Sequence, residues 1–251
     1  MKVLVTGGGT VAPIDDVRTI TNVSTGRFAA SISESALARG AEVWHVHAPS
    51  AALPLLRHAR FDPESPEPAA EMGRLEALRR TWNASKDRLH LQPLQVGTVA
   101  EYASTLEHLL RTHPIDVAFL AMAVSDFEPD PHAGKLSSSP DALTIRCRRT
   151  TKVIRSVRDW SPGVYLVGFK LLSRASTDDL IAAARTAGRT NRADLTVAND
   201  LQILTAGRHT VHLVRQDRPV ETLGPGPDLA DRLVSRVLSW AGGSRPVAGP
   251  L

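Results

Sequence analysis

Apolar and polar positions along this chain switch between two periods. Residues 2–6 (KVLVT) are a short β-branched run that stops at three glycines, the pattern of a buried first strand. Residues 27–39 place Ile32, Ala36 and Leu37 on one side at helical spacing, and Gly40 closes the segment. The exchange recurs. Strands are expected over 42–47, 90–96, 115–121, 164–169 and 194–198. Helices are expected over 71–88, 99–111, 176–189 and from the capping Asp228 to about residue 240. Residues 49–68, rich in Pro, Ala and acidic side chains, read as a long loop. Residues 143–148 and 210–215 read as added strands, the second half exposed. No internal repeat is present.

Strands alternating with helices imply an α/β fold: a Rossmann-like, mostly parallel sheet with helices on both faces and added antiparallel strands. The 251 residues suit a single domain over residues 1–241, with 242–251 a flexible tail. Such sheets bind ligands beyond the carboxyl ends of their strands. Four stretches are expected there: 7–10, 123–127, 169–172 and 199–200.

Composition narrows the function. Hydrophobic residues make up 42% of the chain, enough for a folded globule. Aromatic content of 4% weighs against base stacking on single-stranded nucleic acid. The net charge of +4, spread over arginines, fits a site for anionic small molecules, and no nucleic-acid partner is expected. The one cysteine, Cys147, allows no intrachain disulfide or thiolate metal cluster, and its strand-like setting predicts a packed core thiol. The N-terminal apolar run is too short for a signal peptide, and the longest run, 117–124, is too short to span a bilayer. A reduced, cytoplasmic protein without a membrane partner is expected. The sequons at Asn22 and Asn83 are then chance matches. His45 and His47 share one side of a strand, but no third ligand is evident, so no metal site is assigned.

The glycines at 7, 8 and 9, with Ala12, formally match a dinucleotide-binding G-x-G-x-x-A loop. Two features argue against it. Pro13 pushes Ala12 out of the α region, so no helix starts there. The second strand ends His45-Val46-His47, without the acidic residue a ribose needs, while Glu42 lies at its other end. The helix starts instead after Asn22-Val23-Ser24-Thr25-Gly26-Arg27. Hydroxyls, a glycine and the cation Arg27 at a helix N-terminus make an anion site. A plain Ser24 or Thr25 cap on a turn glycine is the structural alternative.

Six segments in order, VTGGGTVAPIDDVRTITNVSTGR, LAMAVSDF, GKLSS, TKVI, VGFKL and VAND, resemble the phosphopantothenoylcysteine synthetase (phosphopantothenate–cysteine ligase) family in its stand-alone form. The resemblance covers residues 2–214. It implies a homodimeric ligase of coenzyme A biosynthesis. The carboxylate of 4′-phosphopantothenate would attack the α-phosphorus of CTP or ATP with Mg2+ assisting, and L-cysteine would then take the acyl group. No fused flavin-dependent decarboxylase is seen, so no flavin is expected. By the same resemblance, Gly8, Gly9, Ser24 and Gly26 would cradle phosphates, with Ala123, Asp126, Phe169 and Asn199 also at the nucleotide. Asn22 would hold the pantothenate side and assist breakdown of the acyl intermediate. Arg27 would meet substrate. Lys135 would be the lysine of a mobile lid.

Departures stand beside these matches. Met122 and Ala29 replace an alanine and a glycine, and both methyl-bearing side chains are expected to crowd the phosphate pocket. The family's helix lysines for the triphosphate are missing, with Arg185, Arg189 and Arg192 as candidate substitutes. An NAD(P)-dependent reductase or epimerase would need a Tyr-x-x-x-Lys pair, which neither Tyr102 nor Tyr165 supplies. A non-catalytic nucleotide-binding paralogue is the other alternative.

Overall fold

A computed structural model describes residues 1–139, 141–205 and 208–243. In chain order its strands are β1 (Lys2–Gly7), β2 (Val11–Pro13), β3 (Thr19–Thr21), β4 (Glu42–His47), β5 (Leu89–Pro93), β6 (Val117–Leu120), β7 (Phe127–Pro129), β8 (Cys147–Arg149), β9 (Tyr165–Leu172), β10 (Leu195–Asp200), β11 (Val211–Val214) and β12 (Glu221–Leu223). Its helices are α1 (Arg27–Ala38), α2 (Pro68–Ser85), α3 (Val99–Thr112), α4 (Val157–Trp160), α5 (Thr177–Asn191), α6 (Leu201–Thr205) and α7 (Leu229–Gly243).

Eight strands form one sheet in the order β12-β11-β10-β9-β6-β1-β4-β5. The six from β10 to β5 run parallel, and β11 and β12 add antiparallel. The inner parallel strands are buried on both faces. Val3, Val5, Val43 and Phe119 pack under α1 and α7, while Leu4, Trp44, Ala118 and Leu166 pack under α3 and α4. The chain leaves β1 toward β4 and later returns to β6 on its other side. That reversal opens a crevice at the carboxyl ends of β1 and β6.

Two stretches of the sequence reading need correction. Residues 143–148 do not join the main sheet. Only Cys147–Arg149 is strand, paired antiparallel with β7 in a separate ribbon, and all three of its residues are exposed. Cys147 is therefore exposed rather than a core thiol. Gly242 and Gly243, expected in the tail, complete α7, and the rest of the expected tail, residues 244–251, lies outside the described set. Ala29 packs against the root of the first glycine loop. A Cβ on Gly7 would lie 2.6 Å from the Ala29 methyl, which is buried under α1 against the strand.

Candidate active site

No helix follows the first glycine loop. Val11–Pro13 pairs antiparallel with Thr19–Thr21, so the chain leaves the sheet as a hairpin and returns at Asn22. Gly9 continues past β1 to bridge Ala123, the extension of β6. Thr10 N donates to the Ala123 carbonyl at 3.0 Å, and Ala123 N to the Gly8 carbonyl at 2.8 Å. The Asn22 amide donates to the same Ala123 carbonyl at 3.3 Å. The crevice at the strand reversal is thus closed by a two-strand bridge with the Asn22 carboxamide on top.

Close approach explains the glycines. Gly8 has φ +95°, and a Cβ there would sit 2.7 Å from the Ala48 methyl. Gly26 has φ +69°, and a Cβ there would lie 3.1 Å from the Gly8 nitrogen. The two glycine loops therefore touch, which L side chains at these dihedrals would prevent. Gly26 occupies the N-cap of α1, and no side chain caps the helix. Of the alternative Ser24 or Thr25 cap, only a long contact forms, Arg27 N donating to Thr25 Oγ1 at 3.5 Å. The following first-turn amides of this twelve-residue helix have no N-cap side chain over them, an arrangement that suits an anion.

Two clefts flank the bridge. One, of about 960 Å3, is lined by Gly9, Asn22, Ser24, Arg27, Arg57 and Arg60. Arg57 is already bound to Glu34 at 2.7 Å, a contact that with burial sets the Glu34 carboxyl environment, while Arg27 is exposed. The other cleft, of about 540 Å3, is lined by Met122, Val124, Asp126, Lys152, Arg155 and Phe169 among others. Asp126 is ion-paired with Lys152. The Asp126 loop is pinned to the following segment: Thr150 N donates to the Asp126 carbonyl at 3.1 Å and Ser125 N to Thr10 Oγ1 at 2.9 Å. Met122 contributes a buried side chain to this cleft's wall.

The geometry gathers Gly9, Asn22, Ser24 and Arg27 in one cleft and Asp126 and Phe169 in the other, with Gly8, Gly26 and Ala123 between or behind them. It leaves two predicted residues outside both. Asn199 lies at the end of β10, opposite Leu171 in the ladder. Lys135 is exposed on the segment after β7. Nor do Arg185 and Arg189 line either cleft. The face α5 turns to the second cleft carries Ala183, Thr186, Ala187 and Thr190. Arg192, in a left-handed conformation at the end of α5, binds Asp159 at 2.8 Å and the Arg155 carbonyl at 2.9 Å. The cations in the cleft are Lys152, Arg155 and Lys170, which sequence reasoning missed. Lys152 was in a quoted motif, but it meets Asp126 across 26 residues, beyond any local spacing signal.

His45 and His47 stack at 6.0 Å, and His45 Nδ1 meets Ser33 Oγ at 2.8 Å. Burial, with His47 beside it, pushes His45 down to about 3, so it is neutral core. Among the described residues no group of three His, Cys, Asp or Glu side chains gathers to hold a metal. Tyr102 lies deep in the second cleft. Its hydroxyl contacts Thr6 Oγ1 at 3.3 Å, and burial pushes it up to about 12.

The tip of the hairpin holds the segment that bears Lys135. The fully buried Asp15 carboxylate accepts from Val17 N at 2.9 Å, Arg18 N at 2.7 Å, Leu136 N at 3.0 Å and the Arg18 guanidinium at 3.0 Å. Asp16 accepts from Gly134 N at 3.1 Å. Burial alone would raise the Asp15 carboxyl, but the amides of Val17, Leu136 and Arg18 and the Arg18 charge outweigh it and hold it below the usual carboxylate range. A depressed folded value stabilises the protein above the unfolded value of about 4, and this is lost as pH falls through the folded value. Asp15→Asn is therefore expected to lower the urea midpoint at pH 7, with the gap from wild type narrowing as pH falls below the ordinary carboxylate range. Urea midpoints at neutral and acid pH check this, and a gap that stays as wide in acid would contradict it.

Comparison with known proteins follows the same geometry. The sequence profile of the family described as DNA/pantothenate metabolism flavoprotein C-terminal domain matches residues 1–74 and 81–240. A Thermococcus kodakarensis protein named coenzyme A biosynthesis bifunctional protein CoaBC is 33% identical over 86% of this chain, which spans 45% of that relative's length. The mouse phosphopantothenate–cysteine ligase is 30% identical over 92% of this chain and 81% of its own. The crystal structure of the DNA/pantothenate metabolism flavoprotein from Streptococcus pneumoniae superposes with a TM-score of 0.76 at 26% identity, covering 96% of this chain and 99% of that one.

Proposed function

We propose, on the premise that the chain belongs to the DNA/pantothenate metabolism flavoprotein C-terminal domain family, that it is a phosphopantothenate–cysteine ligase. The observation that carries this reading is the Gly9–Ala123 bridge, with one carboxamide above it and a cation-bearing cleft on each side. Joining an acid to an amine through an acyl-nucleotide needs such a meeting point. Oxide is a poor leaving group, so the acid must first be esterified to a nucleoside phosphate. The protein's task is then positioning and charge stabilisation.

In this scheme 4′-phosphopantothenate attacks the α-phosphorus of a nucleoside triphosphate, CTP or ATP, and pyrophosphate leaves. The amine of L-cysteine then attacks the acyl carbon and releases the nucleoside monophosphate. Gly8, Gly9, Ser24 and Gly26 offer backbone amides and a hydroxyl to phosphate oxygens at the open end of α1. Asp126 and Phe169 face the nucleotide, and the Ala123 carbonyl holds Asn22. The Asn22 amide, both donor and acceptor, spans the acyl phosphate. Arg27 draws the anionic substrate, and Lys135 closes over the phosphates. Mg2+ neutralises the triphosphate when bound with it. The described residues form no cage for it, so it would be held mainly by phosphate and water. We place the enzyme in the cytoplasm as a homodimer; no described helix is long and apolar enough to cross a membrane.

Pyrophosphate release tests the reading, with Mg2+, 4′-phosphopantothenate and either CTP or ATP, with and without L-cysteine. Release that needs phosphopantothenate, and amide product that needs cysteine, is the expected result. No release with either nucleotide would overturn it.

A further inference from the structure

The second cleft carries more positive charge than its own carboxylate can match. Its walls are largely apolar, with Tyr102, Met122, Val124, Ile154 and Phe169, and three cations reach it: Lys152, Arg155 and Lys170. Asp126 is the one carboxylate among its lining residues, and Lys152 already occupies it. Among the described residues, no hydrogen bond or ion pair engages the Arg155 guanidinium or the Lys170 ammonium. Apolar walls weaken the screening of both charges.

The Arg155 backbone is fixed in place. It sits in the turn Val153–Ser156, which Val153 anchors in the core at 2% exposure. Its nitrogen donates to the Lys152 carbonyl at 2.9 Å, and its carbonyl accepts from Arg192 at 2.9 Å. Lys170 projects from β9, opposite Ala198 of β10. Two immobilised elements thus present two uncompensated cations to one cavity. A terminal phosphate carries a charge of about −1.5 to −2 at neutral pH, which matches them.

The geometry points to a phosphate subsite formed by Arg155 and Lys170, with Lys152 as the cation that holds Asp126 beside it. This rests on the ligase reading for the identity of the ligand. The phosphate comes from one of two sources, the phosphomonoester of the acid substrate or the polyphosphate of the nucleotide.

Calorimetry on Arg155→Gln, Lys170→Gln and the double variant tests it. The probes are 4′-phosphopantothenate, unphosphorylated pantothenate, CTP, ATP and inorganic pyrophosphate. Arg148→Gln is the control, because Arg148 on the same segment pairs with Glu128 and Asp130 instead. The expected result is at least a ten-fold loss of affinity for one phosphate-bearing ligand, with the control unchanged. Loss confined to 4′-phosphopantothenate, down to the level of pantothenate, assigns the subsite to the acid. Loss for the nucleotides and pyrophosphate assigns it to the triphosphate. Unchanged binding of every ligand that the wild type binds overturns the subsite. A wild type that binds pyrophosphate but neither binds phosphopantothenate nor releases product refutes the ligase reading. Pyrophosphate affinity of the variants then still decides the subsite, and a wild type that binds no phosphate-bearing probe overturns it.

Discussion

Asn22→Ala is expected to stop the reaction halfway. The variant should release pyrophosphate in a burst of about one equivalent per site and then form amide product slowly. Loss of one positioned donor to developing oxyanion charge costs roughly 10²–10³-fold in turnover. The fold should not suffer, because Asn22 is exposed and its side chain has a single polar partner, the Ala123 carbonyl. Rapid-quench measurement of both products separates the steps. Equal slowing of both half-reactions, or wild-type amide formation, would remove Asn22 from the second step.

Gly9→Ala is expected to be nearly as damaging for a different reason. A Cβ at Gly9 would run into the Asn22 carbonyl oxygen, well inside van der Waals contact, and would sit 3.5 Å from Thr21 Oγ1. Gly9 itself cannot retreat, because the bridge to Ala123 holds its backbone. The hairpin must therefore move, at an overpacking cost of about 1–3 kcal/mol. A displacement of the Asn22 amide by about 1 Å is enough to cost on the order of 10² in rate. Gly73→Ala is the matched control. It lies inside α2 with nothing within 4 Å of the new methyl, and replacing a mid-helix glycine adds about 0.5–1 kcal/mol. The thermal midpoints of the two variants should move in opposite directions, and only Gly9→Ala should lose turnover. A Gly9→Ala enzyme with wild-type turnover would show that the hairpin root does not set the site.

Most of the parallel sheet is legible in the sequence because its strands are buried on both faces. Runs such as Val117–Leu120 are continuous apolar stretches between turn signals, and Pro13 correctly rules out a helix after the glycines. The three-residue strands β2, β3 and β12 and the five-residue α6 are too short to show a period, and they were not anticipated. Residues 143–148 carry a strand-like pattern that burial does not enforce, so Cys147 was misplaced. The glycine loops and Asn22 were legible as a local cluster at strand ends. The cations of the second cleft were not, because Lys152, Arg155 and Lys170 come from two elements joined only by the fold. The arginines of α5 share a helix with residues that do reach the cleft, but they point elsewhere.

The β2–β3 hairpin has two ends with different duties. Its root, at Gly9 and Asn22, is locked to Ala123, and its tip, at Asp15 and Asp16, is clipped to the segment around Gly134 and Leu136. The ladder Val11↔Thr21, Ala12↔Ile20, Pro13↔Thr19 lies between them. A length change at the tip leaves the root in register and is felt by the Lys135 segment alone, whereas a one-residue slip in the ladder displaces Asn22. Insertions and deletions in related chains should therefore collect between Asp15 and Arg18, where they alter only the contacts with the segment around Gly134 and Leu136, and be absent between Gly9 and Pro13.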